Sequence, residues 1–210
     1  AHALEAHGLE RVAIVDFDVH HGNGTEEMFS DDERVLMVST FQYPLYPYSG
    51  VDNPAPNMVN VPLGAGSGRD EFREAVTTRW LPALDEFEPE LILISAGFDA
   101  HRDDPLAGLA FVEDDYAWVT RVLLAAARRH AGGRVVSSLE GGYDLSALGR
   151  SAVAHVRELA LDGGGGPRDG EADGFLDGAG GRPGELDRLL DHGEFLLAAR
   201  VGLDHPGEAS

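Results

Sequence analysis

Residues 11–24 read Arg11-Val12-Ala13-Ile14-Val15-Asp16-Phe17-Asp18-Val19-His20-His21-Gly22-Asn23-Gly24. The first half is continuously apolar and rich in β-branched side chains, the pattern of a strand buried on both faces of a parallel sheet. The second half turns polar at once, without the turn residues of a hairpin. A parallel strand must cross over to its neighbour, so these polar residues form a loop at the carboxyl end of the sheet, where open α/β sheets place their ligands.

Working outward, similar runs recur at 35–39 (Val-Leu-Met-Val-Ser), 91–95 (Leu-Ile-Leu-Ile-Ser) and 134–139 (Arg-Val-Val-Ser-Ser-Leu), with a weaker one at 58–61. Helical periodicity occupies about 24–30, 70–87, 113–131 and 145–161 between them. Strands alternating with helices predict a doubly wound α/β domain built on a parallel sheet. The domain is expected over 1–161. From 162 to 184 the chain reads Gly-Gly-Gly-Gly-Pro and then mixed Asp, Gly and Ala, a flexible connection. Residues 185–210 hold a last amphipathic helix, with Leu186, Leu189, Leu190, Leu196 and Leu197 near helical spacing, and a tail.

The strand ends carry the chemistry. In extended chain, side chains two apart face the same way, so Asp18 and His20 can converge on one metal ion. The run at 91–95 leads into Ala96-Gly97-Phe98-Asp99-Ala100-His101, which offers a second carboxylate from another strand. Two carboxylates and an imidazole fit a zinc or ferrous site with room for water and substrate. Each residue alone would be read as a turn or cap; their joint appearance at successive strand ends makes the metal site the better reading. The run at 134–139 ends in Glu140-Gly141-Gly142-Tyr143, where the glycines permit a sharp turn that thrusts Tyr143 into the site. A tyrosine hydroxyl there can donate to the oxyanion formed on an attacked amide, although packing over a glycine turn explains it equally well.

Composition narrows the function classes. With 43% apolar and 8% aromatic residues over 210 positions, the chain can bury a core. It has no cysteine, so a metal must be held by oxygen and imidazole nitrogen. A net charge of −21 argues against nucleic acid and suits cationic partners. No apolar run of membrane-spanning length and no signal peptide is present, so no membrane partner and a cytoplasmic location are expected.

Three stretches, Asp16-Phe17-Asp18-Val19-His20-His21-Gly22-Asn23-Gly24-Thr25, Ala96 to Leu106 (Ala-Gly-Phe-Asp-Ala-His-Arg-Asp-Asp-Pro-Leu) and Leu139-Glu140-Gly141-Gly142-Tyr143, resemble in order three signature motifs of the histone deacetylase superfamily. The likeness is greatest to the class II-like branch with the bacterial acetylpolyamine amidohydrolases and acetoin-utilisation proteins, and runs from about residue 1 to 160.

The resemblance implies an arginase/deacetylase-type three-layer fold and a zinc-dependent hydrolase acting on acetylated lysine or acetylpolyamine. It implies Asp18, His20 and Asp99 as ligands of Zn²⁺, with Fe²⁺ the alternative in the cell, and Tyr143 as the catalytic group polarising the acetyl carbonyl. It implies a neighbouring K⁺ held by Asp16 and Ser39 and by the backbone carbonyls of Asp18, His20 and Thr40. Tyr46 and Leu106 match channel-lining positions, and His21 and His101 are expected to support the site from behind the ligands. Phe41 departs from the family, which usually has histidine there. An arginase-like ureohydrolase is a rival, but it would need a larger aspartate set than this chain offers.

The superfamily's general base is a pair of adjacent histidines preceding the Asp-x-Asp-x-His-His strand, and nothing before Arg11 resembles it. The chain begins Ala1-His2-Ala3-Leu4-Glu5-Ala6-His7-Gly8, as if in the last turns of a helix capped at Gly8. The expectation is therefore a chain whose N-terminal part lies elsewhere: either the later portion of an active deacetylase or a catalytically inactive metal-binding remnant.

Overall fold

The computed structural model describes residues 1–162; the predicted connection and C-terminal helix lie outside the described residues. Five strands, β1 (Val12–Asp16), β2 (Val35–Gln42), β3 (Met58–Leu63), β4 (Leu91–Ala96) and β5 (Val135–Leu139), form one sheet in the order β3-β2-β1-β4-β5. Every pairing is parallel. The five apolar runs read from the sequence are these five strands, and β1, the central one, is buried throughout.

Helices connect them: α1 (His2–Glu5), α2 (Asn23–Phe29), α3 (Arg69–Ala75), α4 (Leu81–Phe87), α5 (Glu113–His130) and α6 (Leu145–Asp162). The alternating sides of β1 divide the core. Ala13, Val15 and Phe17 pack with Phe72, Trp80, Leu84, Val119 and Leu123 from α3 to α5, while Val12 and Ile14 pack with Leu4 of α1, Val35, Met37 and Met58. The sheet is thus sandwiched between helices, and burying side chains such as Trp80, Phe72 and Tyr116 is worth roughly 2–3 kcal/mol each by transfer.

Two local features differ from the sequence reading. The single helix predicted over 70–87 is interrupted by a π turn at Val76–Trp80. Pro82, which cannot donate to a carbonyl one turn back, falls in the first turn of α4, where a missing N–H costs least. The N-terminal helix is shorter than expected, ending at Glu5, though Gly8 does adopt a left-handed conformation (φ 67°) and the Leu9 amide returns to the Ala3 carbonyl. No helix among the described residues is long and apolar enough to cross a membrane.

Candidate metal centre

Because β1, β4 and β5 are parallel neighbours, the loops leaving their carboxyl ends meet. The β1 loop is not extended as the sequence pattern suggests, since β1 stops at Asp16 and the chain bends. Two successive side-chain turns bring the ligands together instead. The Asp18 amide donates to Asp16 Oδ1 (3.0 Å), and the His20 amide donates to Asp18 Oδ1 (2.9 Å). Short carboxylates bond readily to an amide two residues on, which is why Asp at alternate positions curls a loop.

His20 Nδ1 then lies 3.0 Å from Asp18 Oδ1 and 3.2 Å from Asp99 Oδ2. Among the described residues, Asp18, His20 and Asp99 are the one cluster of three such side chains whose ligand atoms lie within 4.8 Å of one another. Hydrogen bonds to Asp18 and then Asp99 push the His20 pKa up to about 10. The cluster therefore draws positive charge to the point between its carboxylates.

Asp99 is wholly buried. Its Oδ1 accepts the Val19 amide (2.9 Å), while Oδ2 is buried without an aligned hydrogen bond, although the His20 ring is close. Burial raises its pKa most, the His20 ring pulls it back, and the Asp18 charge adds to the rise. An orphaned buried carboxylate oxygen facing an imidazole and a second carboxylate is the environment a divalent cation fits, and the donor set suits zinc.

Glycines make the approach possible. A Cβ on Gly141 would sit 2.0 Å from Asp99 Oδ2 and 2.6 Å from Asp18 Oδ2, and one on Gly97 would sit 2.2 Å from Asp18 Oδ2. Gly141 also donates to Asp18 Oδ2 (2.9 Å) and accepts from the Phe98 amide (2.7 Å), so it ties all three loops together. Gly142 has φ 143°, open chiefly to glycine, and turns the chain so that Tyr143 emerges with 54% of its surface exposed. Burial, followed by the charges of Asp99 and Asp18, raises the Tyr143 pKa, so its hydroxyl keeps its proton.

The remaining predicted residues fall around this centre. Asp16 is buried, and its pKa is raised well above the usual range, first by burial and then by Asp18; its other charged neighbours, Glu140 and Asp99, are also acidic. Ser39 is its register partner on β2 and donates to Asn60 Oδ1 (3.1 Å). Tyr46 is largely exposed, its ring edge-on to His20 at 6.4 Å, and Leu106 is also exposed.

His21 is buried and turned to other partners: Nε2 meets Glu26 Oε2 and Nδ1 meets Ser49 Oγ, each at 2.9 Å. Phe41 packs on its ring at 4.8 Å. His101 is buried as well, its Nδ1 accepting the Asp103 amide (3.1 Å) and its Nε2 lying 3.5 Å from Glu113. His2 of α1 and His7, just beyond that helix, are exposed and meet edge-on at 5.0 Å, in the segment that leads into the opposite, amino end of β1.

Sequence reasoning missed Glu26, Asn60 and Asp104. Asn60 Nδ2 donates to Glu26 Oε2 (2.7 Å) and to the Gly50 carbonyl (3.0 Å), completing a polar cluster with His21 and Ser49 under the loop that carries Tyr46. A polar residue inside the short strand Met58-Val59-Asn60-Val61 was the one signal for Asn60. Glu26, on a helix surface, gave none.

Comparison with known proteins places the chain in a family. The family described as "Histone deacetylase domain" matches residues 1–159. The chain is 40% identical over 169 residues to "Histone deacetylase-like amidohydrolase" of Pseudomonas aeruginosa, covering 75% of this chain and 44% of that protein. It is 42% identical over 144 residues to "Probable deacetylase" of Archaeoglobus fulgidus, covering 66% and 40%. The solved HDA15 HD domain superposes with a TM-score of 0.69 at 35% identity, over 75% of this chain and 47% of that one. The chain spans about two fifths of the length of these curated relatives.

Proposed function

The chain belongs to the histone deacetylase family, and on that premise we propose that residues 1–162 form the metal-bearing portion of a deacetylase that hydrolyses N-acetyl amides of lysine side chains or polyamines. The observation that carries the reading is the convergence of Asp18, His20 and Asp99 from two loops on one point, where a buried Asp99 oxygen faces the His20 ring without an aligned hydrogen bond. These three would hold Zn²⁺, or Fe²⁺ in the cell. A metal held there would supply Lewis acidity, to polarise an acyl oxygen and activate water.

This chain's own groups do the rest of what is proposed for it. His20 presents Nδ1 to the two carboxylates, and the β1 loop fixes that ring through the Asp18 turn. Tyr143, at the mouth and protonated, donates to the oxygen that gains charge as the amide is attacked. Tyr46, edge-on to the His20 ring, and the exposed Leu106 would line the path of an acyl-amine stem. Asp16 and Ser39 would hold K⁺, which offsets a carboxylate surrounded by other acids. The excess of acidic residues favours a cationic substrate.

Proton transfer needs a further group. His21 and His101 are each engaged with other partners, so in this reading the paired-histidine base is supplied from outside the described residues. That same observation favours a second reading, a metal-binding remnant without catalysis. Acetate release from an acetyl-lysine peptide by the zinc-loaded protein, assayed with the segment that would supply the paired histidines, decides between them. Release that vanishes in Asp99→Ala supports the enzyme; zinc binding without any release supports the remnant; release that persists in Asp99→Ala refutes the ligand assignment.

A further inference from the structure

Asp104 is almost fully buried although it lies in the loop between β4 and α5. Its carboxylate is committed entirely to backbone donors. Oδ2 accepts the amides of Tyr143 (2.7 Å) and Asp144 (3.3 Å), and Oδ1 accepts the amide of Leu106 (3.0 Å). The Asp104 amide itself closes a turn onto the His101 carbonyl (2.9 Å), which fixes where the carboxylate points.

One side chain thus joins the tyrosine loop to the loop that supplies Asp99 and Leu106. On the other side of the same turn, Gly141 is held by Asp18 and by the Phe98 amide. Tyr143 hangs between these two anchors. With 54% of its surface exposed and Gly142 before it at φ 143°, packing does little to fix it, so the backbone bonds must.

We propose that Asp104 is a positioning residue for Tyr143: its two oxygens clamp the Tyr143 and Leu106 amides together and so set the tyrosine hydroxyl relative to the metal centre and to the channel side chain. The inference rests on the catalytic role proposed for Tyr143. A carboxylate is needed because three N–H groups converge on it; an amide of the same shape offers one acceptor oxygen and turns an NH₂ toward the remaining donors. A drift of about 1 Å in an oxyanion donor weakens it without altering how substrate binds.

The test combines amide hydrogen exchange with a double-mutant cycle on the zinc-loaded protein, the turnover being assayed with the segment that would supply the paired histidines. In Asp104→Asn, exchange at the Tyr143 amide should rise by about tenfold or more while the β1 amides keep their protection. The turnover number should fall by about tenfold with KM changed less than about twofold, and Asp104→Asn should add no further loss in a Tyr143→Phe background. Unchanged exchange at Tyr143, or an equal loss in both backgrounds, overturns the clamp while leaving the deacetylase reading intact. Full activity in Tyr143→Phe sinks the role of Tyr143 and the inference with it. If Asp104→Asn does not fold, Asp104→Glu, which keeps both oxygens but shifts them by one methylene, is scored in the same way.

Discussion

The amide of Gly141 donates to Asp18 Oδ2 at 2.9 Å across 123 residues of sequence, so the backbone of the β5 loop is itself part of the wall behind Asp18, His20 and Asp99. No side chain fits between them, since a Cβ on Gly141 would lie 2.0 Å from Asp99 Oδ2. The centre is assembled by close approach of backbone to carboxylate, and its glycines are as position-specific as its ligands.

Gly141→Ala should therefore destabilise the fold by about 1–3 kcal/mol and weaken zinc binding, because either the loop or Asp99 must move. Gly149→Ala is the control. It lies within α6 with nothing within 4 Å of an added Cβ, and should stabilise by about 0.5–1 kcal/mol. Urea denaturation of the two variants checks both signs; equal effects would show that the close approach at Gly141 is not tight.

A second prediction concerns acid. His155 is buried, its Nε2 2.9 Å from Ser137 Oγ and its Nδ1 2.6 Å from Thr120 Oγ1. The Thr120 hydroxyl already donates to the Tyr116 carbonyl (2.6 Å), so it accepts from Nδ1–H, and Nε2 accepts from Ser137: the imidazole is neutral. Burial lowers its pKa to about 4 from 6.5. The unfolded chain takes up a proton near pH 6.5 and the folded one only near 4, so this contribution is complete above about 6.5 and lost as pH falls toward 4, by roughly 3 kcal/mol in all. Denaturation of the metal-free protein at pH 7.5 and 4.5, compared with His155→Gln, isolates it; an identical pH slope in the variant would rule it out.

The loop bearing Tyr46 gives a third. Glu26 receives both His21 Nε2 and Asn60 Nδ2, so Glu26→Ala strands two buried donors and should cost about 1–3 kcal/mol, with faster amide exchange near Ser49 and Gly50. Glu26→Gln keeps an acceptor oxygen and should cost less. A loss under about 0.5 kcal/mol in Glu26→Ala would show that the cluster does not brace the loop.

These particulars separate what the sequence made legible from what it hid. The strands could be read because the runs that open β1, β2 and β4 are apolar, β1 and β2 being buried on both sides and β4 fully on one side and partly on the other, and because helices intervene. That Asp18, His20 and Asp99 come together could be read, because polar residues soon after such runs have few structural reasons to recur at two strand ends, those of β1 and β4. The route by which they converge could not: extended alternation suggested it, whereas the structure uses two aspartate turns and a bend. Asp104 and Glu26 stayed hidden for a different reason. A carboxylate that accepts backbone amides is indistinguishable, in sequence, from an exposed acid in a loop or on a helix, and this chain has 37 acidic residues. Only the partners, 39 and 34 positions away for Asp104 and Glu26, reveal their place.

The central claim is that Asp18, His20 and Asp99 hold one divalent metal ion. An equilibrium zinc titration against a competing chelator tests it most directly, run on the purified protein and on Asp99→Asn and His20→Ala. The account predicts one tightly bound zinc per chain, with affinity reduced by about a hundredfold or more in each variant. Zinc binding of the same affinity and stoichiometry in either variant would contradict it.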